Sequence, residues 1–201
     1  MKRLTSICIA LVVLGIATIA LPATVAPDAL VNATVGDVLN AIKQTRDKRA
    51  LHKLAEEKVL PMFDFRAMTQ FAMGRHWRDA SPAQQQALEN GFRSVLVNTY
   101  VSALSQTDVS GSSVEVKPPQ PQGSPDNVIV KTLVKRPGAR PVQIDYRLRD
   151  TAGSWKVNDV VVEQLSLVST YRETFSDTVN RAGIDGLIRV IEEKNRNIAG
   201  A

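Results

Sequence analysis

The run VIVKTLVKRPGARPVQIDYRLRDTAGSWKVNDVVV, residues 128–162, decides the architecture of this chain. Its first eight residues are rich in β-branched side chains, and Arg136-Pro137-Gly138 then turns the backbone, since proline presets φ and glycine tolerates a left-handed bend. Val142, Ile144, Tyr146 and Leu148 follow, alternating with Gln143, Asp145, Arg147 and Arg149. Period-two alternation sends one set of side chains to a buried face and the other to solvent. After a turn at Gly153, Trp155, Val157, Asp159 and Val161 alternate with Lys156, Asn158, Val160 and Val162. That third strand has one apolar and one mixed side, which predicts a central place in an antiparallel sheet.

Upstream, residues 110–127 are rich in Pro, Gly, Ser and Gln and read as turns and loop around one short strand at 113–117. Before them the period is helical. Val31, Val35, Val38, Leu39 and Ile42 recur every three or four residues, the mark of a helix with one buried face. Leu51, Leu54, Val59 and Leu60 predict a second helix that stops near Pro61, and Phe63, Phe65, Met68 and Phe71 a third short one ending at Gly74. Ser81, Pro82 and Gln84 form a capping-box start for a helix reaching about Leu104, with Leu88, Phe92, Val95, Leu96, Thr99 and Ala103 on one side and a cost at interior Gly91. Downstream of the strands, Val168, Tyr171, Phe175, Val179 and Ala182 predict a helix stopped at Gly183, then a last one from Asp185. Helices, a small antiparallel sheet and helices again predict an α+β domain whose curved sheet is covered by the N- and C-terminal helices.

Met1-Lys2-Arg3, an uncharged apolar run to Ala20 and small residues beyond it predict a signal peptide over 1–26, cut between 20 and 26. Cys8 leaves with it, so the mature chain has neither a disulfide nor a thiol nucleophile. The remaining 27–201 are the right size for one domain. Losing Lys2 and Arg3 leaves 23 basic against 20 acidic residues, a net charge of +3, too mild for a nucleic-acid binder but suited to brief contact with anionic surfaces.

Catalytic chemistry finds little support. His52 and His76 have no metal-site spacing, and neither a Gly-x-Ser-x-Gly elbow nor a phosphate loop occurs. Asp145, Tyr146 and Asp159 are the sharpest enzyme candidates, a carboxylate and phenol set on a cupped sheet. Adjacent strand residues point to opposite faces, however, so Asp145 and Tyr146 cannot share one cavity. The aromatic residues fall on predicted buried faces, which by itself describes a core; periodicity does not reveal a hollow.

Several blocks in order go further. Val59-Leu60-Pro61-Met62-Phe63-Asp64-Phe65, residues 74–84 (GRHWRDASPAQ), Phe92-Arg93 with Tyr100, residues 142–148 (VQIDYRL), Trp155-Lys156-Val157-Asn158-Asp159-Val160, Leu165-Ser166-Leu167-Val168, Tyr171-Arg172 and Gly183-Ile184-Asp185-Gly186-Leu187 together resemble the MlaC family across nearly the whole mature chain. Asn158 and Gln164 depart from its pattern, standing where an aromatic and a glycine are expected. The resemblance implies a periplasmic phospholipid shuttle, described also as the auxiliary component of toluene-tolerance ABC transporters. The implied fold is related to the cystatin-like and nuclear-transport-factor-like group, with a deep apolar cavity. Implied partners are an outer-membrane lipoprotein and porin complex and the substrate-binding ring of an inner-membrane ABC transporter. The implied cargo is a phospholipid or another lipid such as a hopanoid, with no cofactor beyond it.

On that reading the expected lipid-binding residues are Phe65, Met68, Phe92, Leu96 and Tyr100 from the helices, Val142, Ile144, Tyr146, Leu148, Trp155 and Val157 from the strands, and Leu165, Leu167, Tyr171 and Phe175 beyond them. Arg140, Arg147 and Lys156 are candidates for the mouth or a docking surface. A small-molecule enzyme and a structural adaptor are the competing classes.

Overall fold

A computed structural model describes residues 25–199, so the expected signal segment lies, but for Val25 and Ala26, outside the described residues. Helix α1 (Pro27–Gln44) opens on a proline, whose missing N–H is not needed in a first turn, with Asp28 beside the positive end of the helix dipole. Helix α2 (Lys48–Leu54) is capped by Asp47, which accepts from Ala50 N at 2.8 Å. Pro61 does not end this helix abruptly. The chain widens into a π turn at Ala55–Val59 and tightens into a 3-10 turn at Leu60–Met62, which absorbs the proline ring. Phe63 then bridges to Val157 and Asp64 N donates to Val157 O at 2.8 Å, while Asp64 caps α3 (Phe65–Met73). Helix α4 (Pro82–Ser105) carries the full capping box, Ser81 bonded to Gln84 in both directions.

Strands β1 (Ser113–Val116), β2 (Gln120–Gln122), β3 (Ser124–Lys135), β4 (Val142–Thr151), β5 (Ser154–Val162) and β6 (Leu165–Ser166) form one antiparallel sheet in the order β1-β3-β4-β5-β6, with β2 also beside β3. Two expectations change. Part of the loop-like stretch pairs as β2 and the start of β3, because Pro121 lies on an edge strand where no ladder donor is required. The centre belongs to β4 and not to β5, whose far edge is met, among the described residues, by the short β6 with Leu167 and by the Phe63 bridge.

A bulge sits on β5. Arg147 faces Asp159 but Leu148 faces Val157, so Asn158 is one residue too many and reverses the alternation. Trp155 and Val157 therefore share a face with Val160 and Val162, not with Asp159 and Val161. The hairpins on either side of β5 are two-residue turns, Ala152-Gly153 and Glu163-Gln164, with positive φ at all four positions. Gln164, at φ 71°, occupies a conformation that glycine adopts freely and a side chain does not. Helix α5 (Ser169–Ala199) is broken at Gly183, where φ 71° and ψ 179° leave helical geometry at the expected stop.

Three clusters hold these parts. Residues of α3, α4 and α5 meet around Phe92, whose ring stands edge-on to Tyr171 at 4.9 Å and Phe175 at 5.2 Å. Val31 packs on Val128, Val130, Leu148 and Val157 of the sheet. Ile42, Leu51, Val101 and Val109 close the junction of α1, α2 and the end of α4. Gly91 lets α4 and α5 approach, since a Cβ there would lie 2.6 Å from Ile191 Cγ2. Among the described residues no helix is long and apolar enough to cross a membrane.

Gly91→Ala is expected to cost about 1–3 kcal/mol by forcing these helices apart, read as a lower urea midpoint. Gln164→Gly is expected to raise the unfolding free energy by about 1 kcal/mol through relief of the left-handed turn, read as a higher urea midpoint.

Candidate functional site

Between the sheet and helices α1 to α4 lies a cavity of about 450 Å³. Its sheet wall is built of Val114, Val134, Val142, Ile144, Tyr146, Val157, Val160 and Val162; α1 contributes Val31, Val35, Val38, Leu39 and Ile42, and α4 Leu96, Val97, Tyr100, Val101 and Leu104. Phe63, Phe65 and Met68 line it on the side of the 3-10 turn and α3.

The burial pattern explains why a hollow forms. On β4, Val142, Ile144 and Tyr146 remain only half-buried, whereas Leu148, on the same face, is 1% exposed. The first turns of α1 cover the sheet at Leu148; farther along, Val35, Val38 and Leu39 present an apolar stripe that is again only half-buried. Apolar side chains with regular spacing and incomplete burial on both sides of a gap are the walls of a pocket rather than a packed core.

Of the residues singled out from sequence, Phe65, Met68, Leu96, Tyr100, Val142, Ile144, Tyr146, Val157 and Leu167 line the cavity. The others lie elsewhere. Phe92, Tyr171 and Phe175 form the aromatic joint between α4 and α5. Leu148 is packed beneath α1, with Trp155 at the margin of the same cluster, and Leu165, on the two-residue strand β6, is 61% exposed. Lining residues missed from sequence include the α1 stripe, which reads equally well as core, and Val160 and Val162, which the bulge turns inward.

The three basic candidates are also off the wall. Arg140 pairs with Glu163 at 3.3 Å, Arg147 with Asp159 at 2.9 Å on the opposite sheet face, and Lys156 donates to Pro61 O, pinning the 3-10 turn to β5. Among the described residues Arg136 is the single charged side chain on the lining, and no carboxylate joins it. Tyr146 thus faces the cavity while Asp145, bonded by Gln143, and Asp159, bonded by Arg147, stand on the other side of the sheet. No group of three or more His, Cys, Asp or Glu among the described residues is placed to hold a metal ion. Burial pushes the Tyr146 phenol up to about 12, and it also raises Tyr171 and, with a contribution from Tyr171, Tyr100.

The profile of the MlaC protein family matches residues 32–193. The chain belongs to the MlaC family. The chain is 35% identical to a phospholipid-binding protein from Ralstonia solanacearum whose structure was solved in complex with a phospholipid. The two superpose with a TM-score of 0.78 over 87% of this chain and 99% of the other. The toluene tolerance protein ttg2D of Pseudomonas putida is 25% identical over 165 residues, 79% of this chain and 75% of that one. The intermembrane phospholipid transport system binding protein MlaC of Haemophilus influenzae is 20% identical over 157 residues, 77% and 72% of the two chains. The α+β fold read from the sequence and the family resemblance are both borne out.

The raised Tyr146 value fixes a sign for alkaline stability. Folding favours the neutral phenol, so this contribution is intact below the ordinary value near 10 and is lost as pH rises towards about 12. The unfolding free energy from urea titrations is expected to fall across that window by about 2–3 kcal/mol, and by less in Tyr146→Phe.

Proposed function

We propose that the protein is a periplasmic lipid carrier that holds phospholipid acyl chains in its cavity and moves them between membranes. The observation that carries this is the lining itself, a hydrocarbon wall with one charged residue at about 450 Å³, within the range of roughly 300–1,000 Å³ common for ligand pockets. The phospholipid bound by the Ralstonia solanacearum relative of the same fold supports it.

The physics of the task matches such a wall. Each methylene drawn into water costs about 0.8 kcal/mol, so two chains of about fifteen methylenes would face a barrier on the order of 20 kcal/mol. A carrier must surround them with apolar side chains and leave the charged head in water, where its hydration is kept. Loading and release then require donor and acceptor affinities close to that of the carrier, so docking must shift the equilibrium of the cavity towards opening. The donor and acceptor on this reading are an outer-membrane lipoprotein and porin complex and the substrate-binding ring of an inner-membrane ABC transporter. The chain reaches the periplasm by its signal segment, cut between residues 20 and 26.

Ile144→Asp places a carboxylate in the middle of the β4 wall, where desolvation of the charge opposes an acyl chain. Native mass spectrometry of protein purified from the periplasm is expected to show a lipid adduct on the wild type and at least a tenfold loss in this variant. A folded variant that keeps its lipid would count against the assigned wall. The adduct mass identifies a glycerophospholipid or a hopanoid.

A further inference from the structure

The rim of the cavity holds a polar group that the apolar walls do not account for. Ser113 pairs with Lys135 at the end of the β1–β3 ladder, which brings the next residues out, Ser112 and Arg136, side by side, and both line the cavity. Ser112 is 6% exposed, yet its hydroxyl has no hydrogen-bond partner among the described residues. Arg136 is half-buried, and no carboxylate of the described residues lies within 4.0 Å of it. Lys43, from the last turn of α1, brings its ammonium 3.4 Å from the Ser112 carbonyl oxygen. The carboxylates near this corner are engaged elsewhere. Asp108 is held by Arg46 at 3.4 Å and accepts from Ser110 N at 3.0 Å, and Glu115 is held by Lys135 at 2.8 Å and by Lys117. Val114, Val134 and Val142 begin the hydrocarbon wall immediately inside.

We propose that Arg136, Ser112 and Lys43 form an anion seat at the rim that takes a phosphate ester, the phosphodiester of a lipid whose chains fill the cavity. A buried hydroxyl without a partner, a planar guanidinium without a counter-ion and a neighbouring ammonium together match a tetrahedral oxyanion. Their place at the end of a greasy wall matches the point where a lipid changes from chain to head. The inference rests on the carrier reading, and it adds that the protein distinguishes phospholipid from an uncharged lipid with identical tails.

The test uses delipidated full-length secreted protein incubated with nonionic-detergent micelles containing either dioleoylphosphatidylglycerol or dioleoylglycerol, with bound lipid read by native mass spectrometry. Wild type is expected to favour the phosphatidylglycerol. Arg136→Gln is expected to lower that preference about tenfold and Ser112→Ala about threefold, the scales of a charge-assisted and a neutral hydrogen bond. Unchanged far-ultraviolet circular dichroism and urea midpoints report that the variants are folded, and dioleoylglycerol loading, which offers the seat no phosphate, is the reference against which the loss of phosphatidylglycerol is read. Inorganic phosphate alone should not bind measurably; if it binds and Arg136→Gln abolishes that binding, the seat belongs to free phosphate and the lipid assignment is overturned. Unchanged preference in both variants, or equal loading of the two lipids by the wild type, overturns the seat while leaving the carrier intact. Failure to load either lipid overturns the carrier and the seat with it.

Discussion

The structure depends on keeping two apolar surfaces apart in water. Left to itself, the face of the sheet bearing Ile144 and Tyr146 would collapse onto the stripe of α1, since contact gains both burial and dispersion energy. Anchoring prevents it. The start of α1 is tied to Val128, Val130 and Leu148, α4 is locked to α5 by Phe92, Tyr171, Phe175 and the close approach at Gly91, and the 3-10 turn is stitched to the edge of β5 by the Phe63 bridge and Lys156. Each tie lies to one side of the cavity, so the roof is held up by its ends. The lining gives up packing that a solid core would have, a loss of stability that functional sites commonly carry.

The bulge at Asn158 decides what chemistry the interior presents. In a regular strand of the same sequence, with no bulge, the period of β5 would carry Asp159 and Val161 to the face that Trp155 and Val157 share, setting a carboxylate against the cavity. With the bulge, two valines complete the wall and Asp159 turns to Arg147 and to Val168 N, at 3.4 Å, near the start of α5. The bulge thus separates a β5 wall of valines from a charged pair that braces the sheet to the following helix.

Much of the fold was legible because local signals agreed with one another. The β4 alternation, the capping box at Ser81, the turn glycines and the break at Gly183 each act within a few residues. The site was legible only in part, because a face is a local property and a gap is not. Leu148 obeys the same alternation as Ile144 yet lies under α1, and no pattern within β4 says where a distant helix will land. The large aromatic rings of α4 and α5 were equally misleading guides to the cavity, since size makes them good ties between helices. Arg136 reads from sequence as a turn residue, and its position beside Ser112 emerges only from the register of β1 on β3.

A folded chain that holds about 450 Å³ of apolar space between sheet and helices occupies more room than its atoms and their packing alone would need. Unfolding eliminates such internal space, and pressure favours whichever state has the smaller volume. The unloaded carrier should therefore be soft to compression, and a guest that fills the cavity should stiffen it. The same hollow that shelters a fatty tail would make hydrostatic pressure a direct gauge of how full the protein is.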